Sequence, residues 1–263
     1  MQWTKALGVH MKTLYLGSIL LGAILALIYF FQNQYPDAMH LFSNIFPPVI
    51  AGVAVASSTF ALKKYWGKPQ EKFSKIWLGF TLGMIFWFLG ELGWAVYTLM
   101  LNVEIPYPSI ADIAWLAGYV PIMAAFHWYV RTFQFTISKT LYKAGAVIIG
   151  LICLGHFAYF LAPVFAEMAE TEIVTIAVDI AYPALDLVLL GYALLALLIF
   201  FRGKIAVAWS LISAAVLMDV AADMLFTYTT LQGTYYSGHP LELLFHFGYI
   251  LYALAFYAHR KEL

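Results

Sequence analysis

Lys63-Lys64-Tyr65-Trp66-Gly67-Lys68-Pro69-Gln70-Glu71-Lys72-Phe73-Ser74-Lys75 carries five Lys and one acid between two long apolar runs, 41–62 and 76–101. The rest of the chain repeats this contrast. The other Lys and Arg residues are Lys5 and Lys12, then Arg131, Lys139 and Lys143, then Arg202 and Lys204, and last Arg260 and Lys261. The intervening segments 32–40, 102–109, 166–172 and 232–240 hold none. Lys and Arg beside a span resist translocation, so an alternation of this kind marks every second loop as cytoplasmic. The reading is an all-α polytopic membrane protein of the cell membrane with both termini in the cytoplasm.

A hydrocarbon core of about 30 Å takes roughly 20 apolar residues to cross. Eight stretches qualify: 13–31, 41–62, 76–101, 110–130, 141–165, 173–201, 206–231 and 241–259. Odd spans run outward and even spans inward, in one transmembrane domain over 1–263, a bundle of eight transmembrane helices. The first is too long for a signal h-region and has no small-residue cleavage site, so it is read as retained. Pro47–Pro48, Pro121 and Pro183 fall inside spans and are expected to bend them. The loops are too short for a soluble domain.

Composition agrees. The chain is 63% apolar and 11% charged, far from the pattern of soluble domains. Its net charge of zero implies no nucleic acid or other strongly charged partner. One cysteine, Cys153, excludes a disulfide framework. The lipid bilayer is the expected partner; the basic 63–75 connection reads first as topogenic charge and second as a contact for anionic lipid.

Seven acids lie within the spans: Glu91, Asp112, Asp179, Asp186, Asp219, Asp223 and Glu242. No Lys or Arg shares a span with them, and each costs roughly 3 kcal/mol at a helix centre on insertion scales. They are therefore expected to face the bundle interior. Asp219 and Asp223 share a face of their helix, as do Asp179 and Asp186. His239, Glu242 and His246 form a stripe at the start of span 8, and His156 falls at similar depth. With Trp94, Trp115 and Tyr119, the acids and His246 are the candidate lining of one outward-facing cavity. Trp87, Trp94, Trp115 and Tyr119 are read first as packing and second as an aromatic box for a cation. Trp128, Tyr129 and His127 are read as an interfacial belt. The chemistry open to the cavity is a small cationic, amine or lipid-like ligand, a metal, or a proton-dependent response. Asp219, Asp223, His239, Glu242 and His246 are the metal candidates, although no His-Glu-x-x-His or cysteine-pair motif accompanies them. The plainer alternative is a set of acids hydrogen-bonded singly between helices.

Three segments look alike. Tyr107-Pro108-Ser109-Ile110-Ala111-Asp112 leads to Gly118-Tyr119; Tyr182-Pro183-Ala184-Leu185-Asp186 leads to Gly191-Tyr192; His239-Pro240-Leu241-Glu242 leads to Gly248-Tyr249. Glu91 and Asp223 stand about twenty residues upstream of the first and third. A duplicated hairpin, repeated in the same membrane orientation, is the expected origin.

Gly90-Glu91, the run from Tyr107 through Asp112-Ile113-Ala114-Trp115-Leu116-Ala117-Gly118-Tyr119, and Ala222-Asp223 through Gly233-Thr234-Tyr235 to Tyr249 resemble the N-terminal multi-spanning sensor modules of prokaryotic diguanylate cyclases and histidine kinases. The resemblance covers roughly 76–260. It implies a membrane-embedded input domain followed by a cytoplasmic output domain. Because the chain ends at Leu263, the expectation is a stand-alone module that signals through a partner protein. A weaker likeness in layout is to lysoplasmalogenase-like membrane hydrolases, with Glu91, Asp219 and Asp223 as counterparts of that family's acids. Such an enzyme activates water with a carboxylate or His. A small transporter is the third class.

Overall fold

The computed structural model describes residues 2–68, 70–103, 107–167, 172–200 and 206–262, without the side chains of 2–10, 156–167, 200, 231 and 262. His156 and the basic residues Lys5, Arg202 and Lys204 therefore lie outside the described side chains. The helices are α1 (Gln2–Phe30), α2 (Pro36–Lys63), α3 (Lys72–Ala95), α4 (Ile110–Phe133), α5 (Lys139–Glu167), α6 (Ile173–Phe200), α7 (Ala206–Leu231) and α8 (Glu242–Glu262). Each expected span is a helix. Several start earlier than the apolar run; Pro36 opens α2 from a first-turn position that needs no N–H. A π-helical turn, Val96–Leu101, extends α3 and ends at Asn102 in the left-handed conformation. The helices continue through Pro47–Pro48, Pro121 and Pro183.

Among the described residues six helices are long and apolar enough to cross a membrane: α1, α2, α3, α4, α6 and α7. The described side chains of α5 stop at Gly155. α8 carries Glu242, His246 and His259, all buried. A helix enclosed by other helices does not have to be lipophilic all round.

Six helices form a closed ring in which α2 packs on α3, α3 on α4, α4 on α6, α6 on α7, α7 on α8 and α8 on α2; α1 lies against α8, and α5 against α6. The ring has a two-fold pattern, α2–α3–α4 matching α6–α7–α8. Trp77 and Glu91 on α3 recur at the same spacing as Trp209 and Asp223 on α7. Gly118, Tyr119 and Phe126 on α4 recur as Gly248, Tyr249 and Phe256 on α8. Contacts repeat with the residues. The Trp87 indole of α3 fills the space where Gly118 lacks a Cβ, and the Asp219 carboxylate of α7 does so at Gly248. Trp77 meets His259 across the ring (centroids 4.3 Å), and Trp209 meets Tyr129 (3.3 Å).

The helix starts match too. Ser109 Oγ accepts from Ala111 N (3.2 Å) and Asp112 Oδ2 from Ser109 N (2.7 Å). His239 Nδ1 accepts from Leu241 N (3.2 Å) and Glu242 Oε1 from Gly238 N (2.7 Å). Each is a capping arrangement with an acid on the first turn. The chain is thus two four-helix halves, and α1 and α5 depart from the symmetry. This corrects the reading of three equivalent copies. The Tyr182–Tyr192 segment lies on α6, which occupies the place of α2, not of α4 or α8.

Tyr129 is also corrected: it is core, not belt, and fully buried, while His127 and Trp128 on the same turn are exposed. Around it Phe80, Phe126, Trp209 and Phe256 make an aromatic floor with ring centroids 5.2 to 6.0 Å apart. Glu91 stands roughly 21 Å farther along α3 than Trp77, at 1.5 Å per residue. The acids therefore collect toward one end of the bundle, and this aromatic floor lies toward the other.

Gly118→Ala tests this packing, since the new methyl would overlap the rigid Trp87 indole. A loss of about 1–3 kcal/mol is expected in detergent-micelle unfolding. Gly17→Ala, with open space around it, should be neutral or stabilising by up to about 1 kcal/mol.

Candidate functional site

A carboxyl group enclosed by helices needs donors, and in this ring the donors are phenols. The two halves exchange them. Tyr249 on α8 donates to Glu91 Oε1 on α3 (2.8 Å), and Tyr119 on α4 donates to Asp223 Oδ2 on α7 (3.2 Å). The Tyr119 hydroxyl also meets Asp186 Oδ1 on α6. The Asp186 and Asp223 carboxyls are themselves within hydrogen-bonding reach of each other. One phenol therefore ties α4, α6 and α7 together on the axis of the ring.

Helical spacing explains which tyrosines take part. Tyr119 follows Asp112 by seven residues, and Tyr249 follows Glu242 by seven, so each shares the inward face of its acid. Tyr192 follows Asp186 by six and turns away from that face. It meets His127 Nδ1 at 3.1 Å on the exposed side.

Glu242 forms a second focus. Its Oε2 accepts from Tyr29 of α1 (2.9 Å), and its Oε1 accepts from Tyr235 (3.0 Å) as well as from Gly238 N. Tyr29 also meets His246 Nε2 at 2.8 Å, while His246 Nδ1 has no partner among the described residues. Burial, followed by the Glu242 charge, pushes the Tyr235 phenol well above its ordinary range, so it stays a donor. Burial lowers His239, which keeps its Nδ1 free to accept from Leu241.

The remaining candidates lie toward the rim. Asp112 is the first-turn cap of α4, and its Oδ1 accepts from Tyr182 (3.0 Å). Asp179 Oδ1 accepts from Tyr107 (2.5 Å). Burial and then the bond to Asp179 raise that phenol above its usual range. Trp94 donates to Asn44 Oδ1 (3.1 Å), whose amide reaches Ser237 Oγ (2.9 Å). Trp115 lies over Gly90 with its indole N–H toward Glu91.

These foci adjoin one another. Glu91 lies near Glu242, Asp223 near Glu91 and Asp186, and Asp219 near both Asp223 and Glu91. Tyr182 lies close enough to sense both Asp112 and Asp223. The structure thus brings together Glu91, Asp186, Asp219 and Asp223, with Glu242 and His246 adjoining. It sets Asp112 and Asp179 outward of them and uses Trp94 in a separate amide contact. The five metal candidates do not converge: His239 is a helix cap, His246 and Glu242 share Tyr29, and Asp219 and Asp223 belong to the axial group. Among the described residues no three His, Cys, Asp or Glu side chains could hold one metal ion.

Three acids have no counterpart in the other half. Asp219 stands where α3 has Trp87, each lying over the matching glycine. With Pro47 and Pro183 as counterparts, Asp186 stands where α2 has Ile50 and Asp179 where it has Ser43. None of the three caps a helix. Asp219 Oδ2 makes no hydrogen bond of standard geometry, and the fully buried Tyr252 hydroxyl, likewise without one, lies beside its carboxylate. The axial group therefore holds more carboxyl oxygens than it has phenol donors, an arrangement that can take up a proton-bearing or cationic group.

Sequence reasoning found the acids and missed most of their partners: Tyr29, Tyr107, Tyr182, Tyr235, Tyr249 and Tyr252. The signal was present in the seven-residue acid-to-tyrosine spacing. Compared with protein-family models, curated proteins and solved structures, the chain has no match.

Replacing Tyr119 with Phe leaves Asp186 and Asp223 without their shared donor. Unfolding in micelles should show a loss of about 1–2 kcal/mol. Tyr192→Phe removes only an exposed bond and should change stability by less than about 0.5 kcal/mol.

Proposed function

We propose that this protein is an integral membrane sensor, a ligand-binding module whose acid–phenol cluster faces outward and takes up a small cationic group. Both termini are cytoplasmic, and the bound state is passed to a signalling partner on that side. One observation carries the reading. Asp186 and Asp219, two acids that neither cap a helix nor recur in the other half, stand with Asp223 where the halves meet at Tyr119. A cation there bridges the acids of α6 and α7, which Tyr119 joins to α4. Occupancy therefore changes how α4, α6, α7 and α8 meet, which is how a binding event shifts a packed bundle between states. The likeness to sensor modules points the same way.

A hydrolytic role has less support. The Cys153 thiol and the Ser213 hydroxyl bond to main-chain carbonyls of Leu187 and Ala193 instead of facing a base. His246 and His259 are bonded to tyrosine or tryptophan side chains.

The topology is tested by cysteine labelling. Cysteines at Pro36 and Tyr235 should react with an impermeant reagent from outside, and those at Lys68 and Thr140 only after permeabilisation. External labelling at Lys68 would reverse the orientation.

Ligand uptake is tested by thermal unfolding of purified protein against alkali-metal salts and methylammonium. A ligand at a hundred times its Kd should stabilise the native state by about 2.7 kcal/mol. Asp223→Asn should still fold and lose that gain. Turnover of lysophospholipids by the wild type, abolished in Asp223→Ala, would replace the sensor reading with the hydrolase.

A further inference from the structure

At the end of the bundle away from the acids, α2 and α8 finish side by side and two cations from different helices share one ring. Lys63 Nζ lies 5.4 Å from the centroid of Phe60, and Arg260 Cζ lies 5.5 Å from the same centroid. Both side chains lean on an aromatic face, neither pairs with a carboxylate among the described residues, and both are exposed. Lys64 adds a third positive charge, near enough to act on His259. Phe60 itself is 49% exposed, and Trp66, a few residues on, is 73% exposed.

Topogenic charge alone does not require this arrangement. The positive-inside effect depends on Lys and Arg lying near a span, not on two of them meeting. The negative end of each helix dipole favours cations at a C-terminus but gives no reason for cations of two helices to converge. Like charges held together repel, and a single ring offsets only part of that. The site holds, among the described residues, no carboxylate against either cation. It also offers an apolar ring immediately on the hydrocarbon side and an exposed indole at the level where Trp is favoured.

The geometry points to a binding site for the headgroup of an anionic phospholipid. The phosphodiester sits between Lys63 and Arg260, where the guanidinium fork accommodates two phosphate oxygens. An acyl chain runs along Phe60, and Trp66 rests at the interface beside the headgroup. A soluble phosphate would use the cations but not the exposed ring beneath them, so the lipid is the better fit. The site joins the last turns of α2 and α8, so a bound lipid holds together two helices that belong to different halves. It is independent of the ligand proposed for the acids.

Native mass spectrometry of the full chain, offered equal palmitoyl-oleoyl phosphatidylglycerol and phosphatidylcholine in detergent, reads this directly. The wild type should retain phosphatidylglycerol preferentially. The K63Q/R260Q double variant should lose roughly thirtyfold of that preference, since each basic residue at an anionic surface contributes about a fivefold gain. K68Q/K75Q, which removes two lysines of the same connection that share no such ring among the described residues, should keep it. Equal retention of the two lipids, or an equal loss in K68Q/K75Q, would overturn the site in favour of diffuse charge. Displacement of the lipid by millimolar inorganic phosphate would overturn it in favour of a soluble anion.

Discussion

A carboxyl group inside a bilayer must find a donor within the protein, because no water competes for it and its exposure to lipid costs several kcal/mol. The bundle is arranged around that constraint. It answers with phenols and not with lysines or arginines, and the choice has consequences. A tyrosine brings its own apolar ring, so it seats a polar hydroxyl deep in the ring of helices without adding a second ion to desolvate. It also supplies one hydrogen bond to the acid without a positive charge of its own. Glu91, Asp186 and Asp223 are consequently held in place, and in the proposed sensor they and Asp219 receive the positive group.

The two-fold pattern decides where the constraint is met. A duplicated four-helix unit brings equivalent faces together at an axis, and there each half supplies the donor for the other. Tyr249 serves Glu91 and Tyr119 serves Asp223. At the opposite end the same exchange is made by rings, Trp77 with His259 and Trp209 with Tyr129. Symmetry explains the frame, and its breaches mark the site: Asp186 for Ile50 and Asp219 for Trp87 place two further acids where the other half is apolar. Departures from a repeated frame are expected where function imposes its own demands.

The eight helices were legible because bilayer thickness and loop charge act on every span alike, and the acids were legible because hydrocarbon makes them conspicuous. Their partners were not. Tyrosine is at home in interfacial belts, in cores and at polar sites, so Tyr29 or Tyr182 carries no mark of its use until the helix beside it is known. Tyr129 looked interfacial for the same reason, three residues from Phe126 and next to the exposed Trp128. The repeat was visible in Asp112–Tyr119 and Glu242–Tyr249. The similar words around Asp186 hid the true period, because only the ring order shows that α6 stands in the place of α2. Asp112 and Glu242 read as ligand residues and serve as first-turn caps as well, a role that Ser109 and His239 announce only once the helix starts are fixed.

The exchange of donors between halves is the point on which this account rests, and double-mutant cycles in lipid or micelles measure it. Tyr249→Phe with Glu91→Gln, and Tyr119→Phe with Asp223→Asn, should each show a coupling of about 0.6–1.7 kcal/mol. The pairs taken within one half, Tyr119 with Glu91 and Tyr249 with Asp223, should couple much more weakly. Coupling concentrated within each half, with none across them, would contradict the arrangement of the halves and the convergence of the acids on their axis.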